Sequence, residues 1–184
     1  MEDALSVGAI KHLQPRKKTM SIIAYTGTHG TGKTTSCFRM AETLKMAHPN
    51  KAIAVHTDDA SMCPYPINGD TTSESQMWIF TTHLKTDLDL LSKFDTVVSD
   101  RTIVDSIAYT LAAGFDSLAY AMVELARHHL RHYSKIIMRS SDRNNFCFTD
   151  GIRMEGADEY RLEVERCLCE IYGTLEMERS LTYE

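Results

Sequence analysis

The sequence predicts an α/β fold in three layers, a parallel sheet of about five strands with helices on both faces. Two observations carry this expectation. Short β-branched runs alternate with helical patterns along the chain, as they do where crossover helices join parallel strands. In addition, the first apolar run leads into a glycine-rich segment, Gly27 to Thr35, that opens directly into a helix. A length of 184 residues suits a single domain with a sizeable core, and 43% hydrophobic with 24% charged residues is ordinary for a globular chain.

The first strand is expected over residues 20–26, where Ile22 and Ile23 supply β-branched side chains. Its helix spans about 33–47, with Cys37, Met40, Ala41, Leu44 and Ala47 on one face, and His48-Pro49-Asn50 ends it. Residues 51–56 read as a second strand. The loop after it, 57–70, contains Cys63-Pro64-Tyr65-Pro66-Ile67-Asn68-Gly69, which neither a helix nor a central strand can accommodate. Thr71 or Thr72 caps the next helix, which carries Gln76, Trp78, Ile79, Leu84 and Leu88. A third strand over 94–99 ends at Asp100. Helices follow over about 105–113 and 117–132, divided by Gly114, and 133–138 form a fourth strand. The polar segment 140–156 reads as a mobile lid. Tyr160, Val164, Leu168 and Ile171 mark one face of a last helix, and 180–183 a short fifth strand. Residues 1–19 form a flexible leader, and 20–184 one domain.

Right-handed crossovers gather the loops that follow the strands at one end of the sheet. His29, Asp58, Asp59 and Asp100 are therefore expected to face one cleft.

The pattern at Gly27 is G-x-x-x-x-G-K-[ST], with Gly32, Lys33 and Thr34 at the required places. Each residue type answers a demand of polyphosphate. Glycines let the backbone curl and turn its N–H groups inward, and the helix that follows points its positive end at the same anion. Lys33 meets the β- and γ-phosphates, and the Thr34 hydroxyl is placed to ligate Mg²⁺. Gly27, Thr28, His29, Gly30, Thr31, Gly32, Lys33, Thr34 and Thr35 are thus the expected contacts to ATP. Asp100, after an apolar strand, is the expected acidic partner of Mg²⁺; the alternative is a helix cap.

Composition narrows the function classes. A net charge of −5 argues against broad nonspecific binding to nucleic acid, while leaving room for a local basic cleft. Five cysteines without regular spacing read as reduced thiols, which places the chain in the cytoplasm. Cys167 and Cys169, one residue apart on a helix, point in different directions. No stretch approaches the roughly 18 apolar residues of a membrane span. The basic segment from Lys11 to Lys18 reads as a solvated leader, with a phosphate-binding arm as the alternative. Glu124, His128 and His132 share a helix face at the spacing of metal ligands, although an exposed face explains them as well. Apolar surface and core cannot be separated at this level, so oligomeric state stays open.

The segment Asp100-Arg101-Thr102-Ile103-Val104-Asp105-Ser106-Ile107-Ala108-Tyr109 resembles the Asp-Arg segment of the thymidylate kinase and nucleoside kinase group. It is especially similar to small AAA-type P-loop kinases related to the ribosylnicotinamide kinase domain. Asp150-Gly151-Ile152-Arg153, followed by Glu159-Tyr160-Arg161, resembles the lid of the same kinases. The likeness covers most of residues 20–172. It implies a P-loop NTPase-type fold, ATP and Mg²⁺ as cofactors, and Arg101 near the transferred phosphoryl group. Phosphoryl transfer depends mainly on positioning and on cationic charge. A lid with Arg139, Arg143 and Arg153 would supply such charge, Arg143 or Arg153 being the stronger candidates. Asp58 and Asp59 follow the second strand, where such kinases hold the acid that receives the acceptor hydroxyl's proton.

These residues give an expected phosphotransferase in which Lys33, Asp58, Asp59, Arg101, Arg143 and Arg153 serve catalysis. Asp59, Tyr65, Gln76, Arg101 and Tyr109 would face a nucleoside- or nucleotide-like acceptor. Gln76 would bond a base edge and Tyr65 or Trp78 would stack on a ring, Trp78 being otherwise a core aromatic. The Asp pair leans towards a hydroxyl acceptor; a phosphate acceptor needs no base. Two other readings remain: a kinase of a hydroxymethylated base in DNA, and an ATPase or nucleotide-binding switch. A GTPase is disfavoured because no D-x-x-G follows a strand, and a motor ATPase because Asp100-Arg101 stands where an acidic pair is expected.

Overall fold

A computed structural model of the chain describes residues 20–139, 158–176 and 181–183. Thus the leader, the segment 140–156 with Arg143 and Arg153, and the Asp150-Gly151-Ile152-Arg153 motif lie outside the described residues. Five parallel strands form one sheet: β1 (Ser21–Thr26), β2 (Ile53–His56), β3 (Thr96–Asp100), β4 (Tyr133–Met138) and β5 (Leu181–Tyr183). Their order is β2-β3-β1-β4-β5, so β1 lies in the middle and its two neighbours come later in the chain. Such a reversal opens a crevice at the strands' carboxyl ends.

Five helices cover this sheet on both faces. Helix α1 (Lys33–Ala47) packs Cys37, Met40, Ala41 and Leu44 against Ile23, Tyr25, Val55, Val98 and Ile137. Ala47, expected on the same face, is exposed because the helix is already leaving the sheet towards its end at His48. Burial in this layer pushes the Cys37 thiol upward, with nearby Asp100 adding to it, so it stays protonated. The other face takes α2 (Ser73–Leu91), α3 (Ile103–Ala112), α4 (Asp116–His129) and α5 (Asp158–Thr174). Here Phe80, Ile103, Ile107, Met122, Val164 and Leu168 meet Ile22, Ala24, Val97 and Ile136. Alternate residues of β1 thus serve opposite layers, as the period of a strand requires.

Boundaries differ from expectation where side chains reach the backbone. β2 and β3 start later than predicted, because the Asp95 carboxylate accepts from Ala52 N at 2.8 Å and holds the approach to the ladder. Helix α2 starts after Thr72, which forms a capping box with Ser75. Helix α3 starts two residues early because Thr102 and Asp105 form another. Helix α4 stops at His129, and residues 130–132 tighten into a 3-10 turn instead of continuing it. The loop after β2 is also partly ordered, with 3-10 turns at Asp59–Met62 and Asn68–Asp70.

Strand register positions the site. Tyr25 pairs with Asp100 and Thr26 with Met138, so β1, β3 and β4 end at one level. The ladder then runs one step further, from Arg101 N to Tyr25 O at 2.8 Å and from Arg139 N to Thr26 O at 2.9 Å. The Asp105 carboxylate fastens this arrangement. It is wholly buried and accepts from Thr26 Oγ1 (2.8 Å), Gly27 N (3.2 Å), and Thr102 N and Oγ1 (2.7 and 2.8 Å). Asp105→Asn would turn an amide donor towards groups that are themselves donors. We expect a loss of about 2–4 kcal/mol of stability, read by urea denaturation. A loss below about 0.5 kcal/mol would show that this carboxylate is not what secures the end of β1.

Candidate active site

The loop from Gly27 to Gly32 leaves the central strand and enters α1. Its glycines have left-handed backbone angles where a side chain would be strained: Gly27 at φ 134°, Gly30 at 74° and Gly32 at 77°. A Cβ on Gly27 would also lie 2.4 Å from the Arg139 carbonyl oxygen. Gly32 occupies the N-cap of α1 and provides no side-chain bond to the helix's first amides. No acidic residue stands in the first turn either, so the amides and the positive helix end are suited to an external anion. Thr28 Oγ1 is buried without a hydrogen-bond partner among the described residues. Lys33, 5% exposed, donates to the Thr28 carbonyl, as does Thr31 Oγ1 at 3.0 Å. Thr35 lies on the exposed side of the first turn. These features fit a polyphosphate.

The two residues expected to hold a divalent cation are brought together. Thr34 Oγ1 donates a hydrogen bond to Asp100 Oδ2 at the end of β3. A hydroxyl and a carboxylate beside a phosphate cradle are oxygen donors of the kind Mg²⁺ takes.

Arg139 has a different place from the lid role expected of it. Its guanidinium donates to Thr31 O (3.0 Å) and Ser36 Oγ (2.9 Å), bracing the phosphate loop from the carboxyl end of β4. Position alone could have suggested this, since Arg139 follows the fourth strand directly.

Beyond the loop opens a cavity of about 460 Å³, a size typical of small-molecule sites. His29 stands at its phosphate end, with Nδ1 3.3 Å from the Tyr109 hydroxyl. Asp58, Arg101, Gln76, Ile79, Tyr109 and Tyr160 line the cavity as well. Gln76 is 5% exposed; its amide donates to Thr71 Oγ1 at 2.7 Å and its oxygen accepts from Thr110 Oγ1 at 3.3 Å. One N–H and one lone pair remain, a fitting complement to a heterocycle edge. The rings of Tyr109 and Tyr160 lie 6.2 Å apart, and burial pushes the Tyr160 hydroxyl up to about 12.

Arg101 is the most constrained residue of the site. Its φ of 101° is costly for a side-chain-bearing residue, roughly 1–3 kcal/mol. Its Nε donates to Asp58 Oδ2 at 2.8 Å, its guanidinium lies 5.2 Å over the Tyr109 ring, and Nη1 approaches Asp105 Oδ1 at 3.6 Å. Burial opposes the charge, yet Asp58 and its other anionic neighbours hold its pKa well above the usual arginine value. Nη1 is buried and makes no hydrogen bond among the described residues.

Two expected site residues lie elsewhere. Tyr65, flanked by Pro64 and Pro66, is 46% exposed and is not part of the cavity wall. The backbone bends at Pro64 and Tyr65 and leaves the ring on the surface. Asp59 is turned away from Asp58. It opens a 3-10 turn capped by the Asp58 side chain, and its own Oδ2 lies 2.9 Å from His56 Nε2 and 3.4 Å from His83 Nδ1. Burial raises its carboxyl, but the bonds to the two histidines outweigh this and lower it. Trp78 is half-buried and outside the wall, between the lining residues Gln76 and Ile79. Glu124 faces Arg127 at 3.3 Å, and His128 is exposed.

This geometry, a phosphate loop from the central strand of a 2-3-1-4-5 parallel sheet, defines a P-loop NTPase-type fold. The family model described as AAA domain matches residues 22–180, and the chain belongs to that family. Among solved structures it is similar to thymidylate kinase from Ehrlichia chaffeensis, with a TM-score of 0.62 at 15% identity over 90% of this chain and 92% of that one. It is also similar to deoxyadenosine kinase from M. mycoides with bound dCTP, with a TM-score of 0.62 at 16% identity over 89% of each chain. Thymidylate kinase from Candida albicans gives a TM-score of 0.55 at 13% identity over 90% of this chain and 83% of that one. No curated protein matches the chain in sequence. The fold is therefore that of the P-loop nucleotide kinases. No helix among the described residues is long and apolar enough to cross a membrane.

Gly27→Ala is expected to destabilise the protein by about 2 kcal/mol or more, since both φ and the Arg139 carbonyl oppose a methyl group. A variant with unchanged urea midpoint would show that β1 and the Arg139 backbone separate easily.

Proposed function

We propose that the protein is an ATP-dependent phosphotransferase that moves the γ-phosphoryl group of Mg-ATP to a hydroxyl of a nucleoside-type acceptor. The observation that carries this reading is the Asp58–Arg101 pair in the wall of a cavity that is also lined by His29 of the phosphate loop and by Gln76, Tyr109 and Tyr160. Mg-ATP would supply the phosphoryl group and a divalent charge, with Thr34 and Asp100 as the residues to hold the metal. Lys33 and the amides of 27–35 would hold the phosphates.

The acceptor lies in the cavity with a hydroxyl directed at Asp58. Its Oδ1 also accepts from Ala60 N at 3.0 Å, so the carboxylate is fixed at both ends. As the acceptor oxygen bonds to phosphorus and the β–γ bridging bond breaks, Asp58 takes the hydroxyl proton. Arg101 orients Asp58, and its guanidinium in the cavity wall can spread positive charge towards the migrating group. Gln76 and the tyrosines select a planar, hydrogen-bonding ring. Arg143 and Arg153 belong to the proposal as lid cations, on the resemblance alone.

Likeness to both a nucleoside kinase and nucleotide kinases is compatible with either a hydroxyl or a phosphate acceptor. The hydroxyl is favoured because the one guanidinium in the described wall is already engaged by a carboxylate. A phosphate beside Asp58 would face repulsion.

Lys33→Ala should abolish phosphoryl transfer while circular dichroism stays native; retained turnover would refute the loop assignment. Asp58→Asn should slow transfer to a hydroxyl acceptor by about 10²-fold or more in single-turnover measurements. An unchanged chemical step would remove Asp58 as the base. The acceptor class is tested by labelled γ-phosphoryl transfer to nucleosides, nucleoside monophosphates, ribosylnicotinamide and hydroxymethylated DNA. Label released only as free phosphate would favour an ATPase.

A further inference from the structure

A second group of chemically capable side chains lies behind the loop that follows β2, outside the cavity wall. His56 ends β2, Asp59 opens the adjoining 3-10 turn, and His83 and Asp87 stand one turn apart on α2. His56 Nε2 is 2.9 Å and His83 Nδ1 is 3.4 Å from the same oxygen, Asp59 Oδ2. All three atoms lie within 4.8 Å of one another. Around a tetrahedral Zn²⁺ with bonds of about 2.0–2.1 Å, neighbouring donor atoms are about 3.3 Å apart. The two edges that meet at Asp59 Oδ2, 2.9 and 3.4 Å, are close to that spacing.

The far sides of the two imidazoles strengthen the case. His56 Nδ1 lies 2.8 Å from Asp87 Oδ1, and His83 Nε2 lies 3.5 Å from Asp87 Oδ2. With protons on those two nitrogens, a cation that displaces the proton between His56 Nε2 and Asp59 would meet lone pairs on His56 Nε2 and His83 Nδ1. Asp87 is itself fixed, accepting from His129 Nε2 and from the Tyr133 hydroxyl, each at 2.8 Å. A carboxylate behind each metal-binding imidazole is a recurrent way to set its tautomer and orientation. His83 is 2% exposed, so its ring is held away from bulk water. The two rings also sit 4.4 Å apart, so a charge on each would be mutually repulsive.

We propose that His56, Asp59 and His83 bind one divalent cation of borderline softness, with Zn²⁺ the best match. Two imidazoles and a carboxylate suit Zn²⁺, whereas Mg²⁺ prefers the oxygens of Thr34 and Asp100. Asp59 has the least buried side chain of the three, 14% exposed, so its side offers the remaining coordination position to water. The cation would join the end of β2, the 3-10 turn and α2. It would thereby secure the backbone that carries Asp58, without taking part in phosphoryl transfer.

The test uses the full chain, stripped with a chelator and titrated with Co²⁺ and then Zn²⁺, with no nucleotide or acceptor present. We expect one equivalent of Co²⁺, a visible absorption typical of four or five N/O ligands, displacement by Zn²⁺, and a rise in Tm of about 5 °C or more at saturation. His83→Gln and the more exposed Asp59→Asn should each weaken binding by at least about 100-fold, with His128→Gln unaffected. Absence of binding up to about 100 μM, or unaltered affinity in either folded variant, overturns the proposal. A thiolate-to-cobalt band, or ready displacement by Mg²⁺, would assign the cation to cysteines or to the oxygen site and overturn it equally.

Discussion

One buried carboxylate governs the relation between the halves of the site. Asp105 collects hydrogen bonds from the last residue of β1, the first residue of the phosphate loop and the cap of α3. Four donors on one ion form a rigid joint in a low-dielectric interior, where leaving any of them unmatched is expensive. Arg101 lies between β3 and α3, so the same joint sets where its guanidinium can reach. The left-handed φ of Arg101 is tolerated because both of its flanks are pinned: Arg101 N bonds to Tyr25 O, and Thr102 is fixed by Asp105.

Much of the fold was legible in the chain because its signals are local. The glycine-lysine-threonine spacing marks the phosphate loop within nine residues. Alternating strand and helix patterns gave the five strands, and right-handed crossovers were enough to bring Thr34 and Asp100 together. Strand ends were less legible, because they depend on partners far away in sequence, such as Asp95 reaching Ala52. The Asp58–Asp59 pair shows where the reading stops. Two identical neighbours take opposite directions once a 3-10 turn starts between them, and no pattern in the sequence says which will face the cavity. Tyr65 failed for a similar reason, since the bend at residues 64–65 that leaves its ring exposed has no counterpart in polarity.

The histidine network was invisible for another reason. Its members run from His56 to Tyr133 and come from two strands, two helices and a turn. Only three short spacings, His56 to Asp59, His83 to Asp87 and His129 to Tyr133, hint at it, and such pairs are common on ordinary surfaces. Burial turns them into a system. Burial alone would push the His56 imidazolium down, but the bonds and charges of Asp59 and Asp87 hold it up at about 9. Burial raises the Asp87 carboxyl, but the charge of His83 and the bonds from His129 and His56 hold it far below the ordinary range.

The position of β2 has a consequence for how such a protein can change. This four-residue strand is one edge of the sheet and pairs with β3 alone among the described strands, whereas the phosphate loop grows from the middle. Insertions or substitutions at the rim can therefore reshape the pocket that Asp58 overlooks while leaving the central machinery undisturbed. A lineage built on this plan could exchange one small molecule for another through its outermost strand and keep the same energy source throughout.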